Sequence, residues 1–179
     1  MNKEIVVIIG GPSSGKTTLI EKLKENGHVC YPEVSREVIK EAQERGIEQL
    51  FLEQPLLFSE LLLEGRKRQF KQAKEEKATL VFLDRGIPDV LAYMHYIGDS
   101  YPSFFDEACK EYVYSKIFIL PIWEEIYVSD EERYESYEQA LLIQDHLIET
   151  YEKYGYELIE IPKDTVENRM QFLLQNLHL

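Results

Sequence analysis

The chain alternates between short apolar runs and longer stretches in which apolar residues recur at helical spacing. The first run, KEIVVII at 3–9, is rich in β-branched residues, which is typical of a strand buried on both faces of a parallel sheet. Similar runs predict four more strands: HVCY at 28–31, ATLVFLD at 78–84, KIFILP at 116–121 and YELIEIP at 156–162.

Helices are predicted between these strands. Their ranges are 17–25, 35–44, 53–77, a segment of helical periodicity that ends before Gly155, and a last helix from about 165. Pro55 fits the first turn of the third helix, where a missing N–H costs little. Strands separated by helices require crossover connections. We therefore expect an α/β fold with a mostly parallel sheet and helices on both faces, in a single domain spanning residues 1–179.

Charge narrows the choice of partners. The formal net charge is −13, and residues 121–160 contain twelve Asp and Glu but only Arg133 and Lys153 as cations. Such a surface repels nucleic-acid backbones and anionic lipids, so neither is an expected partner. The basic stretch GRKRQFKQAKEEK at 65–77 is interpreted as the solvated face of a long helix, balanced by neighbouring glutamates.

Cysteine usage and hydropathy indicate the compartment. The two cysteines lack metal-ligand spacing, the four histidines are scattered, and no run of 18 apolar residues could span a bilayer. We expect a reduced, cytoplasmic protein without a membrane segment.

The segment GGPSSGKTT follows the first predicted strand and opens the first predicted helix. Gly10, Gly15, Lys16 and Thr17 complete the pattern GxxxxGK[ST] in the context that a phosphate-binding loop requires. Its backbone N–H groups and the helix N-terminus favour a triphosphate, with an exposed Lys16 reaching the β- and γ-phosphates. The Thr17 hydroxyl would bind Mg²⁺. The residues expected to contact the nucleotide here are Gly11, Pro12, Ser13, Ser14, Gly15, Lys16, Thr17 and Thr18.

Charged residues also follow the second and third predicted strands, and ligands of parallel sheets bind beyond the carboxyl ends of strands. Asp84 is expected near Mg²⁺, although it could instead be the N-cap of the next helix. Arg85 is expected to contact phosphate oxygens, unless it forms an ordinary surface ion pair.

The motif PEVSRE and an isolated arginine supply further candidates. Glu33 could accept the proton of an attacking hydroxyl, and Arg36, one helical turn later, would face the same way. Alternatively, the two residues simply pair at a helix start. Arg133, surrounded by carboxylates, is either part of a surface helix start or a mobile arginine that closes over the phosphates.

Five segments together resemble a known family: GGPSSGKTTLIEKL, YPEVSREVI, VFLDRGIPDVLAY, RYESYEQA and YELIEIPKDTVENRM. The chain is similar to the P-loop NTPases that include the ribosylnicotinamide kinase domain of the bacterial NAD regulator NadR, often labelled AAA domain or predicted ATPase. The resemblance covers nearly the whole chain and implies a nucleoside-kinase-like, five-stranded sheet of order 2-3-1-4-5. That order would place Asp84 beside Thr17.

The resemblance also implies residue functions. Glu33 corresponds to a catalytic base, Asp84 and Arg85 to a pair that binds substrate or metal, and Arg133 to the arginine of a short lid at about 122–136. The segment from Pro162 to Val166 corresponds to the adenine site, which makes Pro162 a nucleotide-binding candidate. With these additions, the catalytic candidates are Lys16, Glu33, Asp84 and Arg133, and the substrate-binding candidates are Glu33, Arg36, Asp84 and Arg85.

Three functions are compatible with these residues. The first is a kinase that uses ATP and Mg²⁺ to phosphorylate a hydroxyl of a nucleoside-like small molecule. The second is a hydrolysing ATPase, but Asp84 is followed by arginine rather than the glutamate of mechanochemical ATPases. The third is a nucleotide-dependent switch. The sequence has no NKxD guanine signature, which favours ATP over GTP.

Overall fold

The computed structural model describes residues 2–127 and 135–177. The strands are β1 (Glu4–Gly10), β2 (Val29–Tyr31), β3 (Leu80–Asp84), β4 (Lys116–Leu120) and β5 (Leu158–Glu160). The helices are α1 (Lys16–Glu25), α2 (Val34–Glu44), α3 (Leu50–Glu53), α4 (Pro55–Glu75), α5 (Ile87–Ile97), α6 (Phe104–Glu111), α7 (Tyr137–Lys153) and α8 (Val166–Gln175). A 3₁₀ turn at Glu124–Ile126 follows β4.

The five strands form one parallel sheet in the order β2-β3-β1-β4-β5, which confirms the predicted α/β fold and strand order. β1 is central, and its side chains alternate between two apolar layers because successive residues of a strand point to opposite faces. Val7 and Ile9 contribute to one core, whereas Val6 and Ile8 contribute to the other.

The two layers differ in size. The larger core packs α2, α4, α5, α6 and α7 against one face of the sheet, and the smaller core packs α1 and α8 against the other. The predicted strands and major helices are therefore present, with small shifts of their ends. The last strand is three residues long rather than seven, and the region predicted as one helix over 53–77 begins at Pro55, after the separate short helix α3.

The basic stretch at 65–77 is not only a solvated face, so that part of the prediction was wrong. Arg66, Gln69, Phe70 and Ala73 are buried on the inner side of α4. At Gly65, α4 lies so close to α2 that an added Cβ would stand 2.4 Å from a methyl carbon of Val34. This close approach brings Arg66 next to the end of β2.

Candidate active site

The phosphate loop joins β1 to α1 as predicted. Ser13 and Gly15 adopt left-handed backbone conformations, with φ of +59° and +85°, and Gly15 is the N-cap of α1. Turns of this kind direct successive N–H groups into one concavity, and the positive end of the α1 dipole adds to it. The loop residues 11–18 and Arg85 line a cavity of about 200 Å³. The loop thus has the shape of an anion site.

Lys16 is buried and forms an ion pair with Asp84, so the expectation that Lys16 is exposed was wrong. The two meet because β1 and β3 are neighbours, with Ile8 in register with Asp84. Burial lowers the pKa of Lys16, and the nearby Arg85 lowers it further, while Asp84 acts in the opposite direction. A triphosphate entering the loop would therefore compete with Asp84 for the ammonium group.

Asp84 does not cap the next helix, so that alternative is excluded. It is the last residue of β3, and the N-cap of α5 is Gly86, whose N–H donates to the carboxylate of Asp89 at 2.9 Å. Arg85, between Asp84 and Gly86, has a left-handed φ of +70°, and its backbone N–H donates to the carbonyl of Ile8 at 3.0 Å. This bend turns the Arg85 side chain toward the phosphate loop and β2.

Glu33 lies at the end of β2 between two arginines. Its Oε2 is 2.6 Å from Nε of Arg85, and Nη2 of Arg66 donates to its Oε1 at 3.2 Å. The carboxylate is 8% exposed and also accepts the N–H of Ser35, as the N-cap of α2. Burial alone would raise the pKa of Glu33, but Arg85, Arg66 and Lys16 outweigh it and hold the pKa at about 2. The carboxylate is thus ionised at neutral pH.

This ion-pair arrangement predicts an acid-dependent stability. The pKa of Glu33 is about 2 in the folded protein and 4.5 as the reference value for the unfolded chain. A lowered carboxyl pKa stabilises the fold above pH 4.5, by roughly 3 kcal/mol here, and this contribution is lost as the pH falls from about 4.5 to about 2.

We expect urea unfolding to show this loss directly. Between pH 6 and pH 3 the unfolding free energy of the wild type should fall by roughly 2 kcal/mol more than that of Glu33→Gln, which has no carboxylate to protonate. Glu37→Gln is the matched control and should follow the wild type, because Glu37 lies on α2 and forms only an exposed ion pair with Arg68 of α4. Parallel pH curves for wild type and Glu33→Gln would contradict the placement of Glu33.

The sequence-based reading missed Arg66, which is 3% exposed and holds Glu33 in place. Its Nη1 donates to the carbonyl of Gly86 at 3.0 Å, so one guanidinium connects the end of β2 to the turn after β3. The same turn is fixed by Asp89, which accepts the hydroxyl of Tyr151 on α7 at 2.5 Å. A buried polar network therefore reaches from Glu33 to the helix that follows the predicted lid.

Arg36 and Arg133 differ from this group. Arg36 is exposed on α2, and Glu33 pairs with Arg66 and Arg85 instead, so the alternative of a local Glu33–Arg36 pair is not supported. A contribution of Arg36 to substrate binding stays a prediction. Arg133 lies outside the described residues, and its proposed lid function stays a prediction as well.

A second cavity, of about 160 Å³, adjoins the phosphate loop between α5 and α7. Arg85 lines both this cavity and the loop cavity. The other lining residues are Gly10, Gly11, Pro12, Asp89, Ala92, Tyr93, Glu135, Ile143 and Leu147. A larger open depression of about 750 Å³ lies at the amino ends of β4 and β5, where ligands of parallel sheets do not usually bind. The smaller cavity is therefore the better candidate for an acceptor site.

The hydroxyl of Thr17 and the carboxylate of Asp84 are oxygen donors, the type of ligand that Mg²⁺ prefers. This ion keeps several waters and is usually held by one or two protein oxygens together with substrate phosphates. Within residues 2–127 and 135–177, no group of three or more His, Cys, Asp or Glu side chains could hold a metal by itself. Thr17 and Asp84 would contribute two oxygen ligands to an ion whose other ligands are water and substrate phosphates. In the same part of the chain, no helix is long and apolar enough to cross a membrane.

The fold and the loop define a P-loop protein with the sheet of the nucleoside-kinase-like class. Residues 5–169 match the protein family described as AAA domain, and the chain belongs to that family. No curated protein matches the chain.

Two kinases and NadR are among the solved structures with the same fold. A deoxyadenosine kinase from M. mycoides with dCMP and dCDP superposes with a TM-score of 0.71 at 17% identity, over 97% of this chain and 98% of that one. NadR in complex with NR gives 0.74 at 16%, over 98% and 49%. Thymidylate kinase from Candida albicans gives 0.68 at 16%, over 99% and 92%. At these identities the likeness establishes the fold.

Proposed function

We propose that the protein is a small-molecule kinase that transfers the γ-phosphoryl group of ATP to a hydroxyl of a nucleoside-like acceptor. The observation that carries this proposal is the position of Arg85, which lines both the phosphate-loop cavity and the neighbouring cavity and pairs with Glu33. An arginine that lines two adjoining cavities, held by a buried carboxylate, suits transfer between two bound molecules. Hydrolysis would need only the first cavity. The kinase names of two structural neighbours add support.

The ion pairs suggest how donor binding prepares the site. Lys16 would exchange Asp84 for the β- and γ-phosphates, which leaves Asp84 and the Thr17 hydroxyl to hold Mg²⁺. Mg²⁺ would neutralise charge on the transferred phosphate. Arg85 would exchange Glu33 for the oxygens of the transferred group. Each exchange replaces an internal partner with a ligand, so the cations remain paired in both states.

Glu33 would then be free to accept a hydrogen bond from the acceptor hydroxyl. While Arg85 pairs with it, Glu33 has a pKa of about 2 and is a weak base, and Arg66 would remain beside it after the exchange. A loose phosphoryl-transfer transition state removes little of the nucleophile's proton early, so orientation matters more than basicity. In the step itself, the acceptor oxygen forms a bond to the γ-phosphorus, the bond to the bridging oxygen of ADP breaks, and the hydroxyl proton leaves late through Glu33.

Acceptor-dependent ADP release tests the proposal. We expect slow release from ATP alone, because water is a poorly positioned nucleophile, and at least a tenfold increase with some nucleoside, a difference of ~1.4 kcal/mol in barrier. The assay screens nucleosides and vitamins that carry a free hydroxyl. A fast basal rate that no acceptor changes would favour the ATPase. Nucleotide binding without turnover under any condition would favour a switch.

A further inference from the structure

Arg169 of α8 lies directly behind the phosphate loop and is 3% exposed. Its Nη1 donates to the carbonyl of Ser14 at 3.0 Å, and its Nε donates to the carbonyl of Pro162 at 3.0 Å. One side chain therefore joins the phosphate loop to the segment after β5, although Ser14 and Pro162 are 148 residues apart along the chain.

The charge of this guanidinium is incompletely balanced by the protein. Burial lowers the pKa of Arg169, and only Asp164 acts in the opposite direction. Asp164 is exposed and accepts hydrogen bonds from Thr165 and Asn168. Among residues 2–127 and 135–177, no carboxylate pairs with Arg169, and its buried Nη2 has no hydrogen-bond partner. Buried charges are normally paired, so a fixed cation here points to an anionic ligand nearby.

The bond to Ser14 has a geometric consequence for the loop. In a trans peptide the C=O and the following N–H point in opposite directions. Holding the Ser14 carbonyl against Arg169 therefore directs the N–H of Gly15 away from Arg169. Gly15 permits the contact, since an added Cβ would lie 2.7 Å from Nη1 of Arg169. The guanidinium thus fixes one amide of the anion site.

The same guanidinium faces an aromatic ring. Its central carbon is 5.6 Å from the ring centroid of Trp123, in the segment after β4. Arg169 and Trp123 line a cavity of about 140 Å³ together with Gly15, Thr18, Leu19, Ile126, Asp164 and Val166. A flat ring could pack against Trp123 in this cavity, next to the loop that would hold the phosphates.

We propose that Arg169 is a positioning residue for the donor nucleoside triphosphate, an inference that rests on the proposed function. It orients the Ser14–Gly15 peptide toward the phosphates and places positive charge behind the loop. It also holds Trp123 and the backbone at Pro162 in place. The cavity for the base and the loop for the phosphates therefore keep a fixed relative position.

Binding measurements with two ligands distinguish an effect of Arg169 on phosphate binding from a contact of Arg169 with the base alone. Calorimetric titrations use ATP and inorganic tripolyphosphate, which has the phosphate chain without base or sugar. Emission of Trp123, the single tryptophan of the chain, reports on the base cavity. We expect Arg169→Met to weaken both ligands about tenfold or more, and Arg169→Lys, which keeps the charge, to weaken them about threefold. ATP should change the wild-type emission more than tripolyphosphate does.

Arg68→Met is the matched control, because Arg68 is an exposed arginine on α4. It should bind both ligands like the wild type. Weakened ATP binding with unchanged tripolyphosphate binding would overturn the inference, since Arg169 would then contact only the base. Wild-type affinities in the folded Lys and Met variants would overturn it too, and would leave the proposed function standing. If the wild type bound neither ligand, the proposed function would fail, and this inference with it.

Discussion

Replacing Lys16 by methionine is expected to lower acceptor-dependent turnover about a thousandfold, or ~4 kcal/mol in barrier. Lys16 is the cation that would stabilise the negative charge of the transferred phosphate, and no other described lysine lines the loop cavity. The steady-state rate at saturating acceptor measures the effect. Lys22→Met is the control. Lys22 lies in the same helix, is partly exposed and pairs with Glu167, so this variant should remain fully active.

Loss of Lys16 should also lower stability, because Asp84 would become a buried carboxylate without its ion-pair partner. The double variant Lys16→Met/Asp84→Asn removes both charges. It should recover most of the lost melting temperature but none of the activity. Recovery of turnover in the double variant would show that the defect of the single variant came from misfolding rather than from lost phosphate binding.

Glu33→Gln should reduce acceptor-dependent turnover about a hundredfold, a barrier increase of ~2.7 kcal/mol, and leave ATP affinity within about threefold. Glutamine keeps the shape of the side chain but removes the charge that would orient the acceptor hydroxyl. Turnover and ATP affinity are measured separately, well below the melting temperature of the variant. Glu37→Gln, one turn further along α2, serves again as the exposed control.

The opposite pattern would reassign Glu33. Weaker ATP binding with unchanged turnover at saturation would place its carboxylate in the nucleotide or metal shell. Asp84, the neighbouring carboxylate at the end of β3, would then become the candidate base.

The parts of the site that the sequence predicted are contiguous along the chain. The phosphate loop combines a strand, a glycine-rich turn and a helix N-terminus within 17 residues, so its pattern and its structural context appear together. Asp84 and Arg85 were predicted from the end of an apolar run. In both cases local periodicity sufficed, because parallel strands place their carboxyl ends on one edge of the sheet.

The missed residues depend on packing between distant segments. Arg66 was assigned to a solvated face because its neighbours are charged, yet the close contact at Gly65 brings it to Glu33, 33 residues away. Arg169 meets Ser14 across 155 residues. The helix α6 spans only eight residues, about two turns, too short for a clear helical period. The contacts of Arg66 and Arg169, in contrast, follow from the assembled sheet and have no signature in any one stretch of sequence.

Transfer of a labelled phosphate tests the central proposal most directly. The protein is incubated with ATP labelled at the γ-phosphorus and with the acceptor that most increases ADP release, and the products are separated. A kinase should place the label on the acceptor, in a one-to-one ratio with ADP, and Lys16→Met should abolish both. Label recovered only as inorganic phosphate, at a rate independent of acceptor, would contradict the assignment.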